Sequence, residues 1–330
     1  MNRWFFRLLF VAVLSSLAWL AWVVLVPVEL PTSTYNITVG PNRSLSQVVH
    51  SLKQEGLIKS RLVMVTLARL EGTDRHIKAG LYRFQGSVSM WDILQRFAAG
   101  RPDEASVTVI EGWTFQQFRA LVQSSADLTH STEGWSDAQI LTQIGAGESR
   151  AEGLFFPSTY YFTPGDSDLD LYRRAYQTMQ HHLSEVWATR SAGLPLTSPY
   201  QLLTLASLVE KETARAEDRD LVAAVFVNRL KKGMRLQTDP SVIYGMGTDY
   251  AGKIGKADLK RDTPYNTYTR NGLTPTPISL PGKASLLAAA QPAASDVLYF
   301  VARGDGGSYF SQTLQQHNGA VRKFILKKGG

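Results

Sequence analysis

The strongest constraint on this chain is an uncharged run close to its N-terminus. From Leu8 to Val26 the residues read LLFVAVLSSLAWLAWVVLV, apolar apart from two serines. As a helix rising about 1.5 Å per residue, the run nearly crosses a hydrocarbon core of roughly 30 Å, and Trp4, Phe5 and Phe6 lengthen it. It has no polar face, so it predicts a transmembrane anchor over residues 1–27 rather than a core helix. Arg3 and Arg7 precede the run, whereas the first charge after it is Glu29 and the next basic residue is Arg43. That asymmetry predicts a single pass, with the N-terminus in the cytoplasm and the rest on the outer, periplasmic side of the inner membrane. Trp4, Trp19 and Trp22 suit the two interfaces. The alternative is a cleaved signal peptide, but its apolar region is usually about 7 to 15 residues and ends in a small-x-small site. The VVLVPVELP that closes this run offers none.

The residues beyond it are enough for one large domain or two ordinary ones. The chain has no cysteine, hence no disulfide framework, and a net charge of +7. Nucleic acid is excluded by the predicted location and by the lack of a dense Lys/Arg run with interleaved aromatics. An anionic membrane surface or wall polymer fits the charge better. Residues 28–36 read as a short polar lead-out. A β-branched run followed by an amphipathic helix then recurs, as YNITVGPNRSLSQVVHSLKQEGLI and GLYRFQGSVSMWDILQRFAAG. Ser44 and either Ser87 or Ser89 are candidate N-caps, and Gly56 and Gly100 candidate helix stops. This makes 28–104 a small α/β module, similar in size and order to LysM-like modules that bind the glycan of peptidoglycan; a plain spacer domain reads equally well. GRPDEAS at 100–106 is the expected linker. Residues 105–330 then form a larger, α-rich domain with short strands, so the fold class is α+β. Helical patterns cover about 115–124, 136–143, 168–189, 199–215 and 217–232, with strand signals at 106–110, 297–302 and 308–310. Segment 233–282, rich in Gly, Pro, Thr, Tyr and Asn, lacks a period and is expected to line something.

The chemistry concentrates in 197–247. Ser198 and Pro199 start a helix on which Glu210 has Leu203, Ala206 and Ser207 as surface neighbours, while Lys211 and Glu212 form a solvated pair on another side. Splitting a glycosidic bond needs an acid still protonated near neutral pH, and an apolar surround favours that state of a carboxyl group. The competing reading is a helix glutamate paired with Arg215 or Arg229.

The order VEKET, VFVNRL, GMRLQTDPSVIYGMG, TPYNTYTRNGLTPTPI, with EGLFFPSTYYF upstream and YFVARGDGGSYFSQTLQQHN downstream, resembles the endolytic murein transglycosylase (YceG-like) family from about residue 38 to 325. Ser158 and Arg303 depart from its usual pattern. The resemblance implies a lyase that cuts nascent glycan strands internally between N-acetylmuramic acid and N-acetylglucosamine, leaving a 1,6-anhydro end and limiting strand elongation. It assigns the catalytic role to Glu210, the first glutamate of VEKET. One carboxyl group suffices, because the sugar's own C6 hydroxyl replaces water.

Glu152, Tyr160, Ser207, Gln237, Asp239, Tyr265 and Asn266 are candidate groove residues, with Tyr268 beside them. Amides and phenols bond sugar hydroxyls, and tyrosine faces cover a pyranose. Loop packing is the alternative for each, and turn formation for Asp239 before Pro240. No metal or cofactor is expected: His181-His182 reads as an exposed pair, Ser207 lacks a histidine partner, and GDGG at 304–307 reads as a hairpin turn. KKGG reads as a solvated tail. Expected partners are glycan strands, the cytoplasmic membrane and, from location, peptidoglycan synthases. A hydrolytic muramidase and a non-catalytic wall-binding scaffold are the alternatives.

Overall fold

The computed structural model describes residues 3–39, 44–73, 77, 78, 80–100 and 102–326. Arg101 of the expected linker and the KKGG tail lie outside the described residues. The fold is mixed α+β, with three two-stranded sheets among the described residues. The chain divides into two compact units, residues 1–105 with 161–166, and 106–160 with 167–330. No sequence signal predicts the return of 161–166 to the first unit.

In the first unit, α1 (Arg3–Leu25) contains a 20-residue stretch, Phe6–Leu25, of mean hydropathy 2.5, long and apolar enough to cross a membrane. Most of its side chains are exposed, but Val23 and Val24 in the last turn are only 2% and 8% exposed. Val23 shares a core with Leu57, Ile58, Met64, Ile93 and Phe97. Lys59 Nζ donates to the carbonyls of Trp22 and Val26 at 3.1 and 2.8 Å, satisfying acceptors at the helix end, and lies 4.3 Å from the Trp22 ring centre.

The polar lead-out expected at 28–36 is instead strand. β1 (Val28–Val39) runs antiparallel to β2 (Gly80–Val88), from Val28 opposite Val88 to Val39 opposite Gly80. The register breaks between Glu29 and Thr34, where Pro31 has no N–H to give. Ile37 and Val39 are buried and Tyr35 packs against the same core, while Thr34 and Asn36 are exposed, so a run that reads as polar on average is a half-buried strand. Between the strands lie α2 (Leu45–Gln54) and α3 (Arg61–Leu70), and after them α4 (Met90–Ala98). Ser44 and Ser89 form capping boxes with Gln47 and Asp92, and Gly56 and Gly100 take the positive φ expected of helix stops. The expected linker is bound rather than loose. The Asp103 N–H donates to the Leu81 carbonyl at 2.8 Å, and its carboxylate accepts from Arg96 and from the Arg83 N–H, both at 2.5 Å.

The second unit opens with β3 (Ala105–Thr108), α5 (Phe115–Ser124), α6 (Asp137–Ile144), β4 (Thr159–Phe162) and α7 (Asp168–Ala188). It continues with α8 (Pro199–Glu212), α9 (Ala216–Lys231), α10 (Asp239–Met246), α11 (Lys256–Lys260) and α12 (Lys283–Ala290). It closes on the hairpin β5 (Tyr299–Ala302) and β6 (Ser308–Ser311), whose turn holds GDGG, and on α13 (Leu314–Phe324). α8 is the axis of the unit. Its residues from Leu202 to Val209 are all buried, as in a helix covered on every side, and it packs against α7, α9, α10 and α12. Beside it, Phe115, Phe118, Phe155 and Tyr172 form an aromatic cluster with ring centres 4.8 to 6.4 Å apart. His181 bonds Glu185 at 3.2 Å, but the His182 ring lies 4.4 Å from that of Phe156, tilted by 49°, instead of standing exposed.

Phe118 is fully buried and meets three rings of this cluster. Phe118→Ala is expected to destabilise the second unit by about 3–5 kcal/mol. Calorimetry of the full chain in detergent should show a lowered Tm for that unit's transition.

Candidate active site

Glu210 lies in the last turn of α8, half-buried, with Leu203, Ala206 and Ser207 of the same face fully covered. Its Oε2 accepts from the Gly282 N–H at 2.9 Å. Neither arginine considered as a partner reaches it. Arg215 pairs with Glu217, and Arg229 donates to the carbonyls of Leu236 and Leu298 at 2.8 and 2.7 Å.

What holds Gly282 there is a strap, residues 274–282, bound along α8. Ser207 is the tie: its Oγ donates to the Thr204 carbonyl at 2.7 Å and accepts from the Ile278 N–H at 3.0 Å. Ser279 Oγ donates back to the Ser207 carbonyl at 3.2 Å. Further along, the strap exchanges backbone bonds with the turn at 111–113, Gly112 N–H to the Leu280 carbonyl at 2.8 Å and Leu280 N–H to the Trp113 carbonyl at 2.6 Å. Lys211 Nζ bonds the Gly112 carbonyl at 3.1 Å, closing the turn onto the end of α8.

This arrangement brings in a residue that sequence reasoning missed, Glu111. Its carboxylate lies directly over Gly282, so close that a Cβ there would stand 1.9 Å from Oε1. Burial pushes the Glu111 carboxyl above the usual carboxylate range, and the neighbouring Glu210 charge adds to this. Two carboxyl groups therefore meet one glycine at the N-terminal end of α12, where the helix dipole favours negative charge. The only local signal was an acid and a glycine just before the Thr114 cap; the partner glycine is far away in sequence.

The other expected residues fall into three places. Glu152 is buried behind the strap, accepting from the Phe115 N–H at 2.9 Å and the Tyr244 hydroxyl at 3.2 Å, and burial raises its carboxyl to about 7. Gly153 beside it has φ +82 and faces Pro277 of the strap, where a Cβ would stand 2.4 Å from the proline ring. Tyr244 meets Tyr265 edge-on at 4.9 Å, and the Tyr265 hydroxyl pairs with that of Thr276 at 3.0 Å. Tyr160, Ser207 and Asn266 are at most 7% exposed, with their polar atoms spent on the protein. Tyr160 donates to the Phe156 carbonyl at 2.5 Å, and Asn266 holds the carbonyls of Asp258, Leu259 and Arg261 at 2.7 to 3.2 Å. In this structure they position loops instead of facing a ligand.

Gln237, Asp239 and Tyr268 line a separate cavity of about 340 Å³ with Glu212, Arg229, Tyr299 and His317. The Tyr268 hydroxyl donates to Asp239 at 2.5 Å, and Tyr299 stacks on His317 at 5.3 Å. Gln237 has φ +51 and is the one non-glycine at positive φ among the described residues. Glu212, expected to be solvated, accepts from Thr238 at 2.6 Å, and burial raises its carboxyl. The helix turns it from Glu210 but straight onto the segment that follows α9. Among the described residues no group of three or more His, Cys, Asp or Glu is placed to hold a metal ion.

A model of the YceG-like family matches residues 37–323. A Bacillus subtilis protein named endolytic murein transglycosylase is 32% identical, over 92% of this chain and 88% of its own length. A Streptococcus pneumoniae protein of the same name is 30% identical over 92% of this chain, which spans 61% of that longer relative. A crystal structure of a YceG-like protein from Listeria monocytogenes matches with a TM-score of 0.53 at 27% identity, covering 87% of this chain and 98% of that one.

Glu152 carries a pH prediction. Its folded value of about 7 lies above the ordinary 4.5, so the folded state holds a proton that the unfolded state has released. Stability is therefore fullest below about 4.5 and falls as pH rises towards 7, by roughly 3 kcal/mol if Glu152 acts alone. Glu152→Gln keeps an acceptor for Phe115 and should flatten that slope in a Tm-against-pH series.

Proposed function

The chain belongs to the YceG-like family, and on that premise we propose that it is an endolytic lytic transglycosylase of peptidoglycan, with Glu210 as its catalytic acid and base. The observation that carries this reading is the carboxylate of Glu210, fixed by the Gly282 N–H at the end of the buried helix α8. Protonated Glu210 gives its proton to the oxygen leaving C1 of N-acetylmuramic acid, and the C1–O bond breaks. The C6 hydroxyl of the same sugar closes on C1 and returns its proton to Glu210. The product is a 1,6-anhydro end, and the enzyme regains its starting state.

Location completes the reading. α1 serves as a single-pass anchor with the following units on the outer face, where a held enzyme meets strands as they are polymerised and can limit their length. Wall synthases are the expected neighbours, and the 340 Å³ cavity edged by Tyr268, Tyr299 and Gln237 is a place for more distant parts of the strand.

Glu111 favours a second reading, hydrolysis. A muramidase needs a second carboxyl group, as nucleophile or as base for water, and Glu111 is one beside Glu210. Mass spectrometry separates the two reactions, because anhydro ends weigh one water less than reducing ends. Peptidoglycan incubated with the full chain is expected to yield anhydro ends, and reducing ends would favour the hydrolase. Glu210→Gln should slow release by at least about 10²-fold. Full activity in that variant would remove Glu210 from its role. Glu111→Gln should leave the release of anhydro ends largely intact, whereas a hydrolase that used Glu111 as its second carboxyl group would lose about 10²-fold or more in rate.

A further inference from the structure

Leu62 and Leu70 of α3 are 78% and 79% exposed, on a helix whose opposite side, Met64 and Ala68, is fully buried. At 100° per residue Leu62, Thr66 and Leu70 fall within an arc of about 80°, bordered by Val63 and Leu67. Arg69 stands at one edge of that arc and is exposed, whereas Arg61, the first residue of the helix, lies off the arc and bonds the Ser46 hydroxyl at 3.0 Å.

The neighbour of α3 says what covers this face. Met64 and Ala68 share a core with Val23 of α1. Lys59, just before the Ser60 cap of α3, bonds the carbonyls of Trp22 and Val26 where the apolar stretch of α1 ends. α3 therefore starts at the level where α1 would leave a bilayer. An apolar face edged by Arg69, on a helix preceded by Lys59 at that level, has the composition of a helix lying in a headgroup layer.

We propose that α3 lies on the bilayer surface that α1 enters, with Leu62 and Leu70 in the acyl boundary and Arg69 on anionic lipid phosphates. This rests on α1 being a membrane anchor. A lipid surface is the occupant, rather than a protein, because α1 and α3 share one core and any bilayer holding the first lies beside the second. The consequence is orientation. A lone helix leaves its attached unit free to swivel, whereas a second contact fixes which face of the small unit looks outward.

The chain has no cysteine, so single labels are clean. Leu62→Cys, Leu70→Cys and, within α1, Leu14→Cys in the full chain would each carry an environment-sensitive fluorophore. Each protein is reconstituted in vesicles of phosphatidylethanolamine and phosphatidylglycerol. The labels at 62 and 70 are expected to shift to the blue and to be quenched by a nitroxide near the headgroup end of the lipid chain. The label at 14 should be quenched by a nitroxide near the chain terminus. Quenching at 14 with water-like emission at 62 and 70 would overturn the proposal, leave the anchor standing and give the face to a protein partner. Quenching at only one of 62 and 70 would also overturn it, since the helix would not lie flat. Water-like emission at all three would remove the anchor and the proposal with it.

Discussion

The contact of the 274–282 strap with α8 is the interaction on which the site depends. Ser207 has one hydroxyl, and it both donates to the helix and accepts from the strap, so a buried polar group is satisfied while two segments are joined. From that tie the strap reaches Glu210 through the N–H of Gly282. It also binds the 111–113 turn by paired backbone bonds, which brings Glu111 to the same glycine. A side chain at Gly282 would have to displace the Glu111 carboxylate, whereas at Gly153, with φ +82, it would be strained and would meet the Pro277 ring on the other edge of the strap. A carboxylate on a rigid helix, with its orientation set by a strap rather than by an arginine, keeps its hydrogen-bonding geometry without being neutralised by a partner charge.

The small unit follows a different logic. Its core is completed by Val23, the last turn of an otherwise exposed apolar helix, and Lys59 bonds the carbonyls at that helix's end. The apolar helix is thus part of the fold of this unit. A chain cut at residue 27 loses a core side chain along with the apolar helix, so removing residues 1–27 is not neutral for the unit that remains.

Much of the secondary structure was legible because its signals are local. α5 and α7 start where Thr114 and Ser167 cap them, α8 starts at Ser198-Pro199, and the GDGG hairpin was readable from its turn residues. The first half of β1 was missed because exposed polar residues and Pro31 masked its alternation, and α10 because Gly and Pro leave it only Ser241 and Val242 to bury. Of the candidate groove residues, Ser207, Asn266 and Tyr160 have the side chains that sugar recognition uses, yet those same groups satisfy buried backbone. Residue type alone cannot separate the two uses.

The sequence by itself determined the apolar N-terminal helix, the membership of the family and the place of Glu210 near the end of a capped helix, because hydropathy, caps and the order of motifs are properties of contiguous residues. Only the tertiary structure decided what surrounds Glu210. Gly282, Glu111 and the tie through Ser207 come from three distant segments, and hydrogen bonds of about 3 Å between them exist only once α8 is buried and the strap is laid against it. The same holds at the N-terminus. Composition showed a helix fit to cross a membrane, whereas the packing of Val23 and the reach of Lys59 showed where that exposed apolar helix gives way to core.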